Sequence, residues 1–162
     1  MADEKSWLWV LHVQNDPEQK GQYLLSALSP GIVFKKGVPK EAILGELAGE
    51  SGQISPEGFR PNPVFIQFLH WVIARFSTQC PELVAEAKRQ GDGQVYVIDL
   101  RTPTTPGAQV SPEDILGVFD VKGGELATYR SSPNHQLITQ RGPLRLTPWY
   151  QAKLLEELRK LV

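Results

Sequence analysis

Apolar residues alternate and cluster along the chain in a way that predicts short strands interspersed with helices. The clearest strand covers residues 95–98, Val-Tyr-Val-Ile, an unbroken β-branched and aromatic run typical of a strand buried on both faces. Apolar residues recur at 115–121 and 126–129, on either side of a Lys-Gly-Gly turn signal at 122–124. The C-terminal part of the chain is therefore expected to form one sheet.

Helical spacing of apolar residues predicts a main helix at about 64–78, which Asn62-Pro63 opens, and a C-terminal helix at about 148–161. Weaker patterns predict helices at 15–28, 39–49 and 81–90, strands at 7–13, 32–34 and 136–139, and a loop at 49–63. The expected fold is α+β: a small, mostly antiparallel sheet packed by helices, with the helix at 64–78 in the centre. Residues 1–162 are expected to form a single domain.

Composition narrows the classes of partner and compartment. The net charge of −1 gives no global field that would favour nucleic acid, and no apolar run approaches the roughly 18 residues of a membrane span. Cys80 is the only cysteine, which rules out an internal disulfide and favours a reducing cytoplasm. The acidic N-terminus makes a poor cleavable signal, so a cytoplasmic location is expected, and secretion without such a signal stays open.

Few residues form a pattern that points to chemistry. Three histidines, His12, His70 and His135, show no metal-binding spacing, and neither a nucleophile elbow nor a phosphate-binding glycine loop occurs. Several polar residues stand at predicted strand ends and turns, where we expect them to lie close together: Asp99, Arg101, Arg130, Asn134 and His135. An arginine there can hold a phosphate or a carboxylate through its fork, and the simpler interpretation is an ordinary Asp–Arg pair at a turn.

Residues 94–135 show a resemblance to a known family. Three parts of this segment resemble a sequence pattern found late in bacterial ADP-ribosyltransferase-type toxin domains. They are the strand at 95–99, the run that includes Val110, Pro112, Glu113, Asp114, Ile115 and Gly117, and the turn at 133–135. The resemblance implies an effector domain, active or degenerate, that binds NAD as substrate in a cleft and needs no metal. It implies His12, Asp99, Arg101 and His135 as NAD-binding residues and Glu113 or Glu125 as the catalytic glutamate.

A second function is predicted beside the first. The chain has no Ser-Thr-Ser element and no Glu-x-Glu pair, both of which the family commonly carries. The alternative is a non-catalytic protein-binding module, such as the immunity or adaptor protein of a toxin or defence system. Exposed aromatic residues and the loop at 49–63 would then form the contact face, and the expected partner is another protein in either case.

Overall fold

Our computed structural model describes residues 7–13, 22–48, 53–101 and 109–162. These residues fall into two units, a first unit from residues 1–69 and 154–162, and a second unit from residues 70–153. The helices and small antiparallel sheets confirm an α+β fold. In chain order the elements are β1 Trp9–Val13, β2 Gln22–Ser26, α1 Pro30–Lys36, β3 Ile43–Leu47, β4 Phe59–Pro61, α2 Pro63–Phe76, α3 Pro81–Gln90, β5 Gly93–Ile98, β6 Ile115–Lys122, β7 Glu125–Ser131, β8 Ile138–Thr139, β9 Gly142–Pro143 and α4 Pro148–Arg159.

The sheet of the first unit is an antiparallel meander in the order β1-β2-β3-β4. The prediction of a helix at 15–28 is wrong for residues 22–26, which form β2. Residues 14–21 lie outside the described part. Adjacent leucines in this segment fit either period, and pairing with β1 and β3 on both sides selects the strand. The predicted loop at 49–63 likewise contains β4, and its residues 49–52 are not among those described.

Two further sequence predictions in the first unit are wrong. A helix was predicted at 39–49, but the described residues of that range form one 3-10 turn, Lys40–Ala42, followed by β3. Residues 32–34, predicted as a strand, lie inside α1, where the Ser29 hydroxyl accepts a hydrogen bond from the amide of Ile32 at 3.4 Å and Pro30 occupies the first turn. Serine and proline in these places are strong helix-start chemistry, which outweighs the strand preference of an Ile-Val-Phe run.

The sheet of the second unit is a meander in the order β5-β6-β7, close to its prediction. Helix α3 packs on one face, where Ala87 meets Val95 and Val121. The other face is open, and 52% of Tyr96 is exposed, so the prediction that this strand is buried on both faces is wrong. Residues 138–143, predicted as a strand and a turn, form a separate short hairpin, β8-β9. The helices predicted at 64–78, 81–90 and 148–161 are confirmed as α2, α3 and α4.

Strands β5, β6 and β7 repeat the geometry of β2, β3 and β4. Leu25 pairs with Gly45 in the first unit and Val97 pairs with Gly117 in the second, and both registers shift immediately afterwards. Beyond the shift, the amide of Ala27 donates to the carbonyl of Ala42 at 2.9 Å. In the second unit, the amide of Asp99 donates to the carbonyl of Asp114 at 2.7 Å. The same irregularity, followed by the same bridging hydrogen bond, therefore occurs in both units.

The correspondence continues into the third strand of each sheet. Leu47 pairs with Phe59, and Phe119 pairs with Tyr129. The aromatic ring of this third strand lies over the glycine of the middle strand in both units. After the third strand, the amide of Asn62 donates to the carbonyl of Leu44, and the amide of Ser132 donates to the carbonyl of Leu116. Identical residues occupy equivalent positions in the pairs Glu41 and Glu113, Ile43 and Ile115, Leu44 and Leu116, Gly45 and Gly117, and Arg60 and Arg130. The chain therefore contains a repeated three-stranded framework, to which the first unit adds β1.

Candidate functional site

A buried cluster of charged side chains surrounds Arg101 at the end of β5. Asp99 and Asp114 are fully buried, and only 2% of the Arg101 side chain is exposed. Arg101 Nη2 lies 3.0 Å from Asp99 Oδ2 and 3.1 Å from Asp114 Oδ1. His135 Nε2 lies 3.1 Å from the same Asp99 oxygen. Two buried carboxylates thus face one buried guanidinium, with an imidazole beside them.

The Arg101 guanidinium also joins separate segments of backbone. Nη1 donates to the carbonyl of Gly142 at 3.0 Å, and Nη2 donates to the carbonyls of Gln136 at 2.7 Å and Glu113 at 3.2 Å. Asp99 Oδ1 accepts from the amides of Arg101 and Arg145. The cluster therefore ties the end of β5, the turn before β6 and the β8-β9 hairpin together.

Arg141 completes the charge balance on the outer side of the cluster. Its Nη2 lies 2.7 Å from Asp114 Oδ2 and 3.1 Å from Glu113 Oε1. Burial lowers the pKa of Arg101, while the charges of Asp99 and Asp114 act in the opposite direction. The hydrogen bonds that Arg141 donates to Asp114 and Glu113 raise the pKa of Arg141. Both guanidinium groups remain charged, so their charges offset most of the charge on the carboxylates, and a structural role explains the arrangement.

Not all of the polar residues predicted to lie together do so. The structure brings Asp99, Arg101 and His135 into one cluster, as expected from their places at strand ends. Arg130 instead pairs with Asp120 on the open face of the sheet, where Nη1 lies 2.6 Å from Oδ2. The backbone amide of the exposed Asn134 donates a hydrogen bond to the Ser132 hydroxyl in the turn after β7.

The residues implied for NAD chemistry are distributed over both units. Glu113 precedes β6, and Glu125 pairs with Lys122 at the far end of that strand, roughly 25 Å away at the usual rise per residue. The two glutamates therefore do not share a site. His12 belongs to the first unit, where its ring stacks on Tyr23 with centroids 4.7 Å apart, whereas Asp99, Arg101 and His135 belong to the second.

A second polar contact, which sequence reasoning did not pair, joins His70 and Tyr129. His70 Nδ1 lies 2.7 Å from the Tyr129 hydroxyl, which also lies 3.4 Å from the carbonyl oxygen of Leu116. Burial, followed by the charge of His135, lowers the pKa of His70 to about 4, and burial raises the pKa of Tyr129. Both groups are thus neutral at pH 7, and the tyrosine hydroxyl can donate to the imidazole.

This neutral His70 predicts a measurable pH dependence of stability. Unfolded histidine binds a proton near pH 6.5, whereas folded His70 does so only near pH 4. The unfolded state therefore binds more protons between these values, so the His70 contribution is complete above pH 6.5 and declines as the pH falls toward 4. Urea unfolding from pH 7.5 to pH 4 is expected to give a steeper decline for the wild type than for His70→Gln, which keeps an acceptor for Tyr129. Parallel curves would contradict this assignment.

No group of histidine, cysteine, aspartate and glutamate with the geometry of a metal site occurs in the described ranges. Among those same ranges, no helix combines the length and apolar character needed to cross a bilayer. Comparison with known proteins finds no family model, no curated protein and no solved structure that matches the chain. Function therefore has to be argued from the chain's own side chains.

Proposed function

We propose that the chain is a non-catalytic protein-binding module of the immunity or adaptor type. The observation that carries this proposal is the open face of the β5-β6-β7 sheet, where Tyr96 is half exposed. Val118 lies opposite Tyr96 in register, and Arg130 lies opposite Val118 on the next strand. Tyrosine and arginine are enriched at the centres of protein interfaces, since they combine a large contact area with hydrogen-bonding capacity.

Polar contacts hold the surroundings of Tyr96 in a defined arrangement. Asp120 accepts from Arg130 at 2.6 Å and from the Gln94 side chain at 3.4 Å. These side chains are therefore partly ordered before a partner arrives, which reduces the entropy lost on binding. An apolar centre with an ordered polar border is a common interface arrangement.

The positions of the two glutamates favour this proposal over transfer of ADP-ribose. The Glu113 carboxylate is paired with Arg141, and Glu125 stands at the opposite end of β6. A glutamate that stabilises a ribosyl cation must present its negative charge to the substrate.

The binding role predicts that a charge placed on the open face will abolish capture of a partner. Tyr96→Glu introduces a carboxylate into the apolar centre, and burying an unpaired charge at an interface costs more than most contacts supply. Affinity capture from cells of the source organism, followed by mass spectrometry, is expected to recover a protein with wild type and to lose it with Tyr96→Glu. Phe34→Glu puts the same charge on another aromatic residue, which is 91% exposed in α1, and should leave capture unchanged. Loss of capture with Phe34→Glu but not with Tyr96→Glu would place the contact face on α1 instead.

An NAD assay supplies the outcome that would contradict the proposal. The purified protein is incubated with NAD and lysate, and free nicotinamide is measured for wild type, Glu113→Ala and Glu125→Ala. The expected result is no release above a blank for any of the three proteins. Nicotinamide release by the wild type that is lost in either alanine variant would establish the transferase instead.

A further inference from the structure

The outer edge of β5 is the side of the strand that faces away from β6. In the part of the chain that the structure describes, β5 pairs only with β6. The Asp99 amide points toward the turn before β6, whereas the Leu100 amide donates to the carbonyl of Arg145 on the other side. Because backbone groups of successive strand residues alternate in direction, those of Gln94, Tyr96 and Ile98 point away from β6.

The first unit shows what occupies the equivalent edge. The residues equivalent to Gln94, Tyr96 and Ile98 are Gln22, Leu24 and Ser26 of β2. They pair with three residues of β1, namely Val13, Leu11 and Trp9. In the second unit the segment before β5 is helix α3, which packs on the inner face of its sheet rather than along its edge. Within the described ranges, the repeated framework therefore has a fourth strand in the first unit only.

The two edges of the second sheet differ in how well they resist strand addition. Charged side chains, prolines and bulges commonly protect an edge from pairing with another chain. Strand β5, Gly-Gln-Val-Tyr-Val-Ile, carries no charge and no proline, whereas the opposite edge, β7, carries Glu125 and Arg130. The unprotected edge is also the one that β1 covers in the first unit.

We propose that the binding partner completes this sheet by adding an extended segment antiparallel to β5, in the position that β1 holds against β2. The inference rests on the proposed binding function and specifies the chemistry of the partner. Main-chain hydrogen bonds to Gln94, Tyr96 and Ile98 give affinity that is independent of sequence. Specificity comes from alternate side chains of the segment, which lie on the same face as Tyr96.

The composition of β1 indicates which side chains the segment carries. Trp9, Leu11 and Val13 lie opposite the outward-pairing residues of β2, and all three are apolar. A complementary segment is therefore at least five residues long, with apolar residues at its first, third and fifth positions. The middle one would pack against the Tyr96 ring on the open face.

A peptide provides the probe. A synthetic peptide of residues 7–13 with lysines added at both ends is titrated into the full-length protein, and amide hydrogen exchange is followed by NMR. The expected result is new protection at the amides of Gln94, Tyr96 and Ile98. The same peptide N-methylated at the amides of Trp9, Leu11 and Val13 cannot donate to β5 from those positions and should give none. Failure of the first peptide to protect these amides would overturn the proposal.

Two substitutions at one position separate backbone pairing from side-chain contact. Tyr96→Pro removes an amide that points to the open edge, and a proline there leaves the ladder to β6 intact. Tyr96→Ala removes the side chain and keeps the amide. Peptide affinity is expected to fall at least tenfold further in Tyr96→Pro than in Tyr96→Ala. Should Tyr96→Pro not fold, Gln94→Pro against Gln94→Ala makes the same comparison.

The remaining outcomes distinguish this inference from the binding function itself. Cellular capture that is lost in Tyr96→Glu but kept in Tyr96→Pro would overturn strand addition and leave the binding function standing. Self-association of the pure protein that Tyr96→Pro abolishes would make a second copy the occupant and overturn the heterologous partner. Loss of capture in both variants, together with amide protection at β5, is the expected result.

Discussion

Replacing Arg101 with serine is expected to lower the free energy of unfolding by about 3–5 kcal/mol, the usual cost of removing one partner from a buried ion pair. The substitution removes the cation nearest to the buried Asp99 carboxylate and one of the two guanidinium groups that pair with Asp114. It also removes donors to three backbone carbonyls. Guanidinium chloride unfolding at pH 7, followed by circular dichroism, measures the change. A loss below about 1 kcal/mol, the level of an exposed pair, would contradict the assigned burial.

The first unit supplies a matched control for this experiment. At the positions equivalent to Asp99, Arg101 and Asp114 it has alanine, serine and alanine, and the bridging hydrogen bond forms there without any charge. A triple variant, Asp99→Ala with Arg101→Ser and Asp114→Ala, buries no unpaired carboxylate. It should therefore be more stable than Arg101→Ser alone by about 2 kcal/mol, because removing a whole buried network costs less than breaking it. A triple variant less stable than the single one would show that the carboxylates stabilise the fold by other contacts.

Gly45→Ala is expected to cost about 3 kcal/mol, at the upper end of the range for overpacking a well-filled core. A methyl group at Gly45 would collide with the carbonyl oxygen of Arg60 and lie 2.6 Å from the Phe59 ring. The backbone of β4 is held by its pairing with β3 and cannot move aside easily. At Gly117 the obstacle is a side chain and not backbone: the Tyr129 ring can turn aside, at the cost of its hydrogen bond to His70. Gly117→Ala should therefore cost less, about 2 kcal/mol. Thermal and denaturant unfolding measure both changes.

Gly31→Ala serves as the control of opposite sign. Gly31 lies in α1, where an added methyl group has only the Ser29 hydroxyl oxygen at 4.0 Å. Alanine restricts the unfolded chain and favours the helix, so this variant should gain about 0.4–1 kcal/mol. Equal effects for all three glycine variants would mean that the aromatic rings do not restrict Gly45 and Gly117.

The second half of the chain was predictable because its signals are local and agree with one another. Residues 95–98 have strong strand formers, and Gly123-Gly124 marks a two-residue turn between apolar runs. In the first half, Ile43, Leu44 and Leu47 have helical spacing although they form a strand. The contrary signal was Gly45, which costs stability inside a helix. Its purpose, to admit the Phe59 ring, depends on a strand that comes later in the chain.

The charged cluster was only partly predictable for a related reason. Asp99 and Arg101 follow β5, and His135 lies in the turn after β7. Residues at such ends of one sheet come close together, so this part of the cluster could be predicted. The carbonyls of Gln136 and Gly142 are equally important acceptors for Arg101. Every residue has a carbonyl, so backbone acceptors leave no mark in a sequence. The repeat is hard to see in the sequence because its equivalent positions share few residues. The Ile-Leu-Gly segments at 43–45 and 115–117 correspond, whereas the two more conspicuous Ser-Pro-Glu segments, at 55–57 and 111–113, do not.

The bridging hydrogen bond beyond the register shift holds whether alanine or aspartate surrounds it. The backbone conformation around this hydrogen bond therefore does not depend on the side chains there, so these positions can vary while the framework stays the same. Descendants of such a framework can exchange methyl groups for ionic groups there. The ionic groups can then hold a further segment, as Arg101 holds the backbone of the β8-β9 hairpin. Sequence differences among proteins with this framework should consequently concentrate at the positions around this hydrogen bond, while the glycine beneath the aromatic ring stays unchanged.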